Sequence, residues 1–287
     1  MFPAKFEYYA PTTVNQAVAL LKKHRYAKVL AGGHSLLPTM KLRLAQPPVL
    51  VDIGKVKGLA GIKVAKGGAT IGALTTHATI AASKDLRKQC PAITEAAALI
   101  GDLQVRNRGT IGGSLSHADP AADYPAVMIA LGAEMKAVGP KGARTINASH
   151  FFKSLMTTAL KPSEVLTEVH LPPHQPNSGC AYVKFPNPAS RFAVAGVCAW
   201  IALDAKGRCA KASIGITGAC ATATRASKTE AALHGKELNE ETIAAAAAQA
   251  ADGLDCLSDI HASAEYRAHL VTVLTARAIQ QAVARAK

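Results

Sequence analysis

The amino-acid sequence predicts an α+β fold in two domains, and three stretches carry that prediction. A compact strand–loop–helix–strand unit closes near Gly54. After a proline-rich linker, three apolar runs resemble the strands of an antiparallel meander. From Ala226 onward the chain is alanine-rich and helical, with a final long helix beginning near Ser263.

The elements follow in order. Thr13-Val-Asn-Gln16 reads as a capping box, in which the threonine hydroxyl and the glutamine side chain satisfy each other's end of the backbone. Val14, Ala17, Val18, Leu20 and Leu21 then line one helical face. Residues 27–31 form a short strand, and a helix starts at Ser35 with Pro38 tolerated near its first turn. Residues 49–53 make the second strand. Short strands at 61–64 and 69–74 precede helices near 76–82 and 91–100. Strands at 135–138, 143–146 and 165–171 belong to a half-buried sheet. Residues 171–179 hold three prolines, a serine and a glycine, the composition of a linker. The meander occupies 180–185, 192–203 and 210–216. The expected domains are therefore 1–175, divided near residue 54 into 1–54 and 55–175, and a C-terminal domain of sheet and helices at 176–287.

Composition removes several function classes. Hydrophobic residues make up 49% and charged residues 18%, which suits a chain that buries a substantial core. No apolar run reaches the ~18 residues of a membrane span, and the N-terminal MFPAKFEYYAP lacks a secretory signal's apolar stretch. A cytoplasmic protein is expected. Cysteines at 90, 180, 198, 209, 220 and 256 include no C-x-x-C pair, and the ten histidines include no H-E-x-x-H, so no bound metal is expected. The net charge of +14 is spread widely, and aromatics at 5% are too few for a base-stacking platform. Nucleic acid is not the expected partner; an anionic cofactor or an acidic protein fits the field better.

Two loops carry the functional argument: LAGGHSLLPTM at 30–40 and RGTIGGS at 108–114. Glycine permits positive φ and close backbone approach, and successive amides in such a turn form a concave nest for an anion. AGGHS has the order strand, glycine turn, helix, which adds a helix N-terminus to the nest. Neither loop is a G-x-G-x-x-G or a P-loop, and a tight turn without a ligand remains open for either one alone.

The runs AGGHSLLPTMKLRLA and RNRGTIGGSLSHADPAADYP, with FEYYAPTTVNQAVALL and ASAEYRAHLVTVL near the two ends, resemble the flavoprotein subunits of the xanthine dehydrogenase/molybdenum hydroxylase family. Within it the resemblance is greatest to the medium subunits of aerobic carbon monoxide dehydrogenases. It implies a two-subdomain FAD-binding domain of the vanillyl-alcohol-oxidase type, followed by a C-terminal antiparallel-sheet and helical domain. It also implies noncovalent FAD gripped at its diphosphate by both glycine loops. The residues carried over are Val29, Leu30, Ala31, Gly32, Gly33, His34 and Ser35 in the first loop. The other loop supplies Thr110, Ile111, Gly112, Gly113 and Ser114. Asp123 matches a carboxylate that binds cofactor hydroxyls, Ile100 and Leu166 match apolar flanking positions, and Lys184 matches a lysine near the flavin ring. By spacing alone Lys184 is an outward residue of an alternating strand, and Phe192 fits core packing better than ring contact. No catalytic residue is expected in this chain.

The resemblance places the molybdenum cofactor and the [2Fe–2S] clusters on partners, a large molybdenum subunit and a small iron–sulfur subunit, assembled as a dimer of heterotrimers. Electrons would pass through FAD to an external acceptor such as a quinone. It places the complex in the cytoplasm or at the inner face of the cytoplasmic membrane. Oxidation of carbon monoxide, of an N-heterocycle or of an aldehyde all fit, as does a free-standing FAD oxidoreductase.

Overall fold

The computed structural model describes residues 1–286. The chain begins with β1 (Glu7–Tyr9), α1 (Val14–Lys23), β2 (Lys28–Leu30), α2 (Leu36–Lys41) and β3 (Val49–Asp52), whose strands form a parallel sheet in the order β1-β3-β2. The Thr13 hydroxyl accepts from the Gln16 amide at 3.2 Å, as the capping box requires. Gln16 reaches back one residue further than expected, its Oε1 accepting from the Thr12 amide at 3.0 Å. Ala17, Val18 and Leu21 of α1 pack with Val49, Val51 and Ile53 in a small core. β1 is absent from the sequence prediction because its three residues, EYY, include no buried apolar side chain.

The next unit contains β4 (Ile62–Ala65), β5 (Gly68–Gly72), α3 (His77–Ala82), α4 (Lys84–Gln89), α5 (Pro91–Leu99), α6 (Leu103–Arg108), α7 (Ile111–His117) and α8 (Tyr124–Leu131). It continues through β6 (Glu134–Gly139), β7 (Gly142–Asn147), α9 (Ala148–Phe151), the hairpin of β8 (Phe152–Ser154) and β9 (Thr157–Thr158), and β10 (Val165–Leu171). An antiparallel sheet runs in the order β4-β5-β10-β6-β7. Its central strand, β10, is the last one made. The α5, α7 and α8 helices share one large core with this sheet, including Ile71, Ile93, Ile111, Tyr124 and Met128.

After residues 172–177 come β11 (Ser178–Pro186), β12 (Ala193–Leu203), β13 (Cys209–Thr217) and β14 (Thr224–Arg225), an antiparallel sheet in chain order. The helices α10 (Ser227–Leu233), α11 (Glu240–Ala247) and α12 (Ala264–Ala286) follow. Strand alternation sends successive side chains to opposite faces. Ala181, Val197 and Ala199 face Leu274, Ala278 and Ala282 of α12, whereas Cys180, Tyr182 and Cys198 join the core of α5 and α8. This sheet is therefore the middle layer of a sandwich, with helices on both sides. Arg267 pins α12 to it, donating from Nη1 to the carbonyls of Val194 (2.6 Å) and Gly218 (2.9 Å) and from Nη2 to Asp259 (2.6 Å). Among the described residues no helix is long and apolar enough to cross a membrane.

Candidate functional site

The two glycine loops meet. A Cβ on Gly32 would lie 2.1 Å from the Arg108 carbonyl oxygen, and one on Gly113 would lie 3.9 Å from the Ala31 Cβ. Only glycine at position 32 allows so close a backbone approach. Gly33 has φ +80°, a left-handed conformation that turns the chain from β2 into α2.

The fate of the backbone amides separates the loops. In the first, no hydrogen bond among the described residues uses the amides of Gly32, Gly33, His34, Ser35 or Leu36, so five successive donors are free for an anion. Val29, Leu30 and Ala31 lead into them half-buried, with Leu30 held through its carbonyl by the Ile53 amide at 3.0 Å. His34 is exposed, and its Nδ1 lies 3.3 Å from the Gly32 carbonyl. In the loop at 108–114, Ile111 donates to Thr75, Gly112 to Ala73, and Gly113 to the Thr110 hydroxyl, at 3.1, 2.9 and 3.1 Å. Ser114 closes onto Thr110 at 3.0 Å. The expectation of a second amide nest is therefore corrected: Gly112 packs α7 against Ala73, whose Cβ would be 2.5 Å from a Cβ on Gly112. Ile111 is fully buried, so the partly exposed Gly113 and Ser114 are what this loop offers to a ligand.

His77 supports the same loop from below. Its Nδ1 lies 3.0 Å from the buried Tyr124 hydroxyl, and its amide donates to Gly109 at 3.0 Å. Burial, with His34 and Arg106 nearby, lowers its pKa from 6.5 to about 4. Arg106 in turn donates to the carbonyls of Ile100 (3.0 Å) and Gly101 (2.8 Å), fixing the turn that half-buries Ile100. Sequence reasoning missed both residues. Their roles depend on packing between segments that no local spacing reveals.

Asp123, at the start of α8, is 3% exposed. Its Oδ1 accepts from the Tyr182 hydroxyl at 2.6 Å and from Lys184 Nζ at 2.8 Å, and its Oδ2 lies 3.0 Å from the same Nζ. Lys184 also donates to the Leu99 carbonyl at 3.1 Å. Its side chain is 0% exposed, which overturns the outward reading. The strand does alternate, but α5 and α8 cover the face to which Lys184 points. Tyr182, two residues earlier on the same face, could have been found once that face was known. Burial pushes the Asp123 carboxyl above its ordinary range, with Lys184 and Tyr182 pulling the other way. Leu166 is 4% exposed in the core, and Phe192, expected to pack there, is 44% exposed.

A family model described as the FAD binding domain in molybdopterin dehydrogenase matches residues 4–174, and one for the CO dehydrogenase flavoprotein C-terminal domain matches 180–282. The chain belongs to the FAD-binding subunits of the molybdopterin dehydrogenases. It is 39% identical to the carbon monoxide dehydrogenase medium chain of Hydrogenophaga pseudoflava, over 99% of each chain. It is 38% identical to the 6-hydroxypseudooxynicotine dehydrogenase complex subunit alpha of Paenarthrobacter nicotinovorans, over 100% of this chain and 97% of that one. The structure of carbon monoxide dehydrogenase from Hydrogenophaga pseudoflava lacking the Mo-pyranopterin moiety matches with a TM-score of 0.95 at 40% identity, covering 99% of each chain. Quinoline 2-oxidoreductase from Pseudomonas putida 86 matches at 0.92 with 33% identity, again covering 99% of each.

The residues fit the cofactor of this family. Five free amides in one turn suit a doubly charged diphosphate, with charge-assisted hydrogen bonds contributing roughly 1.5–3 kcal/mol each.

Proposed function

We propose that this flavoprotein is the electron-transfer subunit of a heteromeric molybdenum hydroxylase, standing between partner iron–sulfur clusters and an external acceptor such as a quinone. FAD, when bound, supplies a ring that accepts electrons singly or in pairs. The observation that carries the reading is the run of free amides at Gly32–Leu36, roofed by the other glycine loop at Arg108. In this reading residues 29–35 hold the diphosphate. Thr110–Ser114 close the cradle, chiefly through Gly113 and the Ser114 hydroxyl. Asp123 keeps one acceptor position, on Oδ2, for a cofactor hydroxyl. Ile100 and Leu166 flank the cofactor, Leu166 through its backbone, and the Lys184–Asp123 pair lies toward the ring. The binding is noncovalent.

Among the described residues no group of three histidine, cysteine or acidic side chains is placed to hold a metal ion. In this reading the molybdenum and iron–sulfur centres sit on a large and a small partner, in a dimer of heterotrimers in the cytoplasm or at the inner face of the cytoplasmic membrane. Carbon monoxide is the substrate we favour, since the carbon monoxide dehydrogenase structure matches at a TM-score of 0.95 and 40% identity, against 0.92 and 33% for the quinoline enzyme. A nitrogen heterocycle is the second reading, favoured by the equally complete matches to the 6-hydroxypseudooxynicotine and quinoline enzymes.

The test is anaerobic bleaching of the flavin absorbance. The isolated FAD-loaded chain should stay yellow on adding carbon monoxide or a heterocycle, and should bleach when both partners are present. Substrate-driven bleaching of the isolated chain would refute the electron-transfer reading and identify a free-standing oxidoreductase.

A further inference from the structure

One cavity lies away from the glycine loops. It opens at the seam between the two family domains, has a volume of about 640 Å³, and is walled by Cys90, Pro91, Leu171, Cys180, Trp200 and Arg285. Two thiols that are 90 residues apart in sequence meet at its wall. The Sγ atoms of Cys90 and Cys180 are 3.6 Å apart. Cys90 caps the N-terminus of α5 in the first domain, and Cys180 lies on β11 in the second.

We propose that Cys180 and Cys90 form a hydroperoxide-reactive thiol pair that closes into a disulfide across the domain seam, with the cavity as the route of entry. The chemistry of the two sulfurs is unequal, as such a reaction needs. The Cys90 thiol, the Ala92 amide at the start of α5 and the Arg285 guanidinium all pull the Cys180 thiol below its ordinary pKa, against burial and Glu95. Helix N-termini and neighbouring guanidinium groups are what make a cysteine a thiolate. Arg285 is held in place by its bonds to the Cys180 carbonyl (2.7 Å) and to Glu95 (2.5 Å). The Cys90 thiol is held well above its ordinary range by its hydrogen bond to Cys180 and by burial, so it stays protonated.

The sequence of steps follows from that difference. The Cys180 thiolate attacks the O–O bond of a hydroperoxide. The attacked oxygen stays on sulfur with its hydrogen as a sulfenic acid, and the other leaves as water or alcohol, taking up the proton that Cys180 released into the cavity on ionising. The Cys90 thiol then displaces the sulfenic hydroxyl, which leaves as water with the Cys90 proton. Two electrons pass from the thiols to the peroxide, and one S–S bond forms. A disulfide of about 2.05 Å requires the sulfurs to close by roughly 1.6 Å from their present contact.

Other thiols are less suited. Cys198 lies in the same cluster, but burial pushes it well up and no contact joins it to either partner at bonding range. Cys220 and Cys256 face each other across a β-bridge, yet burial pushes Cys220 up to about 12. Among the described residues the Cys90–Cys180–Cys198 cluster is not placed to hold a metal.

The test is peptide mass spectrometry on the full-length FAD-loaded protein, freed of reductant, exposed to a few equivalents of hydrogen peroxide and alkylated under denaturing conditions. A linked peptide joining Cys90 to Cys180 should appear, and the count of free thiols should fall from six to four. Cys198→Ser should give the same linked peptide. Cys90→Ser should leave Cys180 as a sulfenic acid trapped by dimedone. The proposal is overturned if Cys90 and Cys180 both remain alkylatable at a peroxide dose that oxidises Cys220 or Cys256. A Cys180–Cys198 link, or Cys180 sulfinic acid beside a free Cys90, overturns it equally. These outcomes are read in the parent protein, so they stand if a variant fails to fold.

Discussion

Replacing Lys184 with methionine keeps the length of the side chain and removes the only cation, among the described residues, in contact with Asp123. The carboxylate would be left 3% exposed, with the Tyr182 hydroxyl as its remaining side-chain donor. Breaking one side of a buried ion pair costs about 3–5 kcal/mol, because the uncompensated charge stays in the interior. Proton uptake by Asp123 limits that cost, so the penalty must depend on pH. Burial already raises this carboxyl above 3.8, and loss of Lys184 removes the first of the opposing effects, raising it further. A carboxyl whose folded pKa exceeds its unfolded value contributes stability that is complete below the unfolded value. That contribution is lost as pH rises through the folded value. The penalty of Lys184→Met should therefore be small near pH 4 and reach its full size near pH 8. Urea unfolding of the FAD-saturated protein across that range measures it. Adding Asp123→Asn should recover most of the loss at pH 8 and little at pH 4. A penalty independent of pH, or one below about 1 kcal/mol at pH 8 as for an exposed pair, would refute the reasoning.

Gly32→Ala places a Cβ where the Arg108 oxygen now stands, 2.1 Å away, and a contact of roughly 3.3 Å requires the loops to part by about 1 Å. Loss of one charge-assisted bond to the diphosphate should weaken FAD about 10- to 150-fold in titrations of the deflavo protein; parent-like affinity would separate the loops functionally. His77, lowered to about 4 from 6.5, should make stability fall as pH drops through that window, by at most about 3–4 kcal/mol. The sign follows because the unfolded histidine takes up a proton there and the folded one does not. His77→Phe should flatten that slope in thermal unfolding, and an unchanged slope would assign it elsewhere. Acid precipitation should leave the yellow colour in the supernatant; colour in the pellet would reveal a covalent flavin.

The C-terminal meander and α12 were legible because period-two alternation and alanine-rich helical sequence are local signals. By contrast, α8 gave none: from Tyr124 to Ala130 every residue is buried, so no polar face marks its period. The glycine loop at 30–40 was legible as a strand–turn–helix, and its free amides agree with that reading. The loop at 108–114 carries the same glycine pair, but its amides are engaged by Thr75 and Ala73 from a segment 35 residues earlier or more. Lys184 shows the same limit. Alternation assigns a side chain to a face, and only the fold tells what covers that face.

The position of α12 also bears on how the chain is made. It covers one face of the middle sheet and reaches across to Glu95 through Arg285, yet it follows every strand of that sheet in the sequence. During synthesis β11, β12 and β13 thus leave the ribosome with Ala181, Val197, Ala199 and Ile214 bare until residues 264–286 have followed. An exposed apolar sheet is a site of premature association. The interval is short, about 70 residues after the end of β13, or roughly 3–14 seconds at about 5–20 residues per second. For those seconds the nascent chain presents a ready surface to whatever cellular factor attends its emergence.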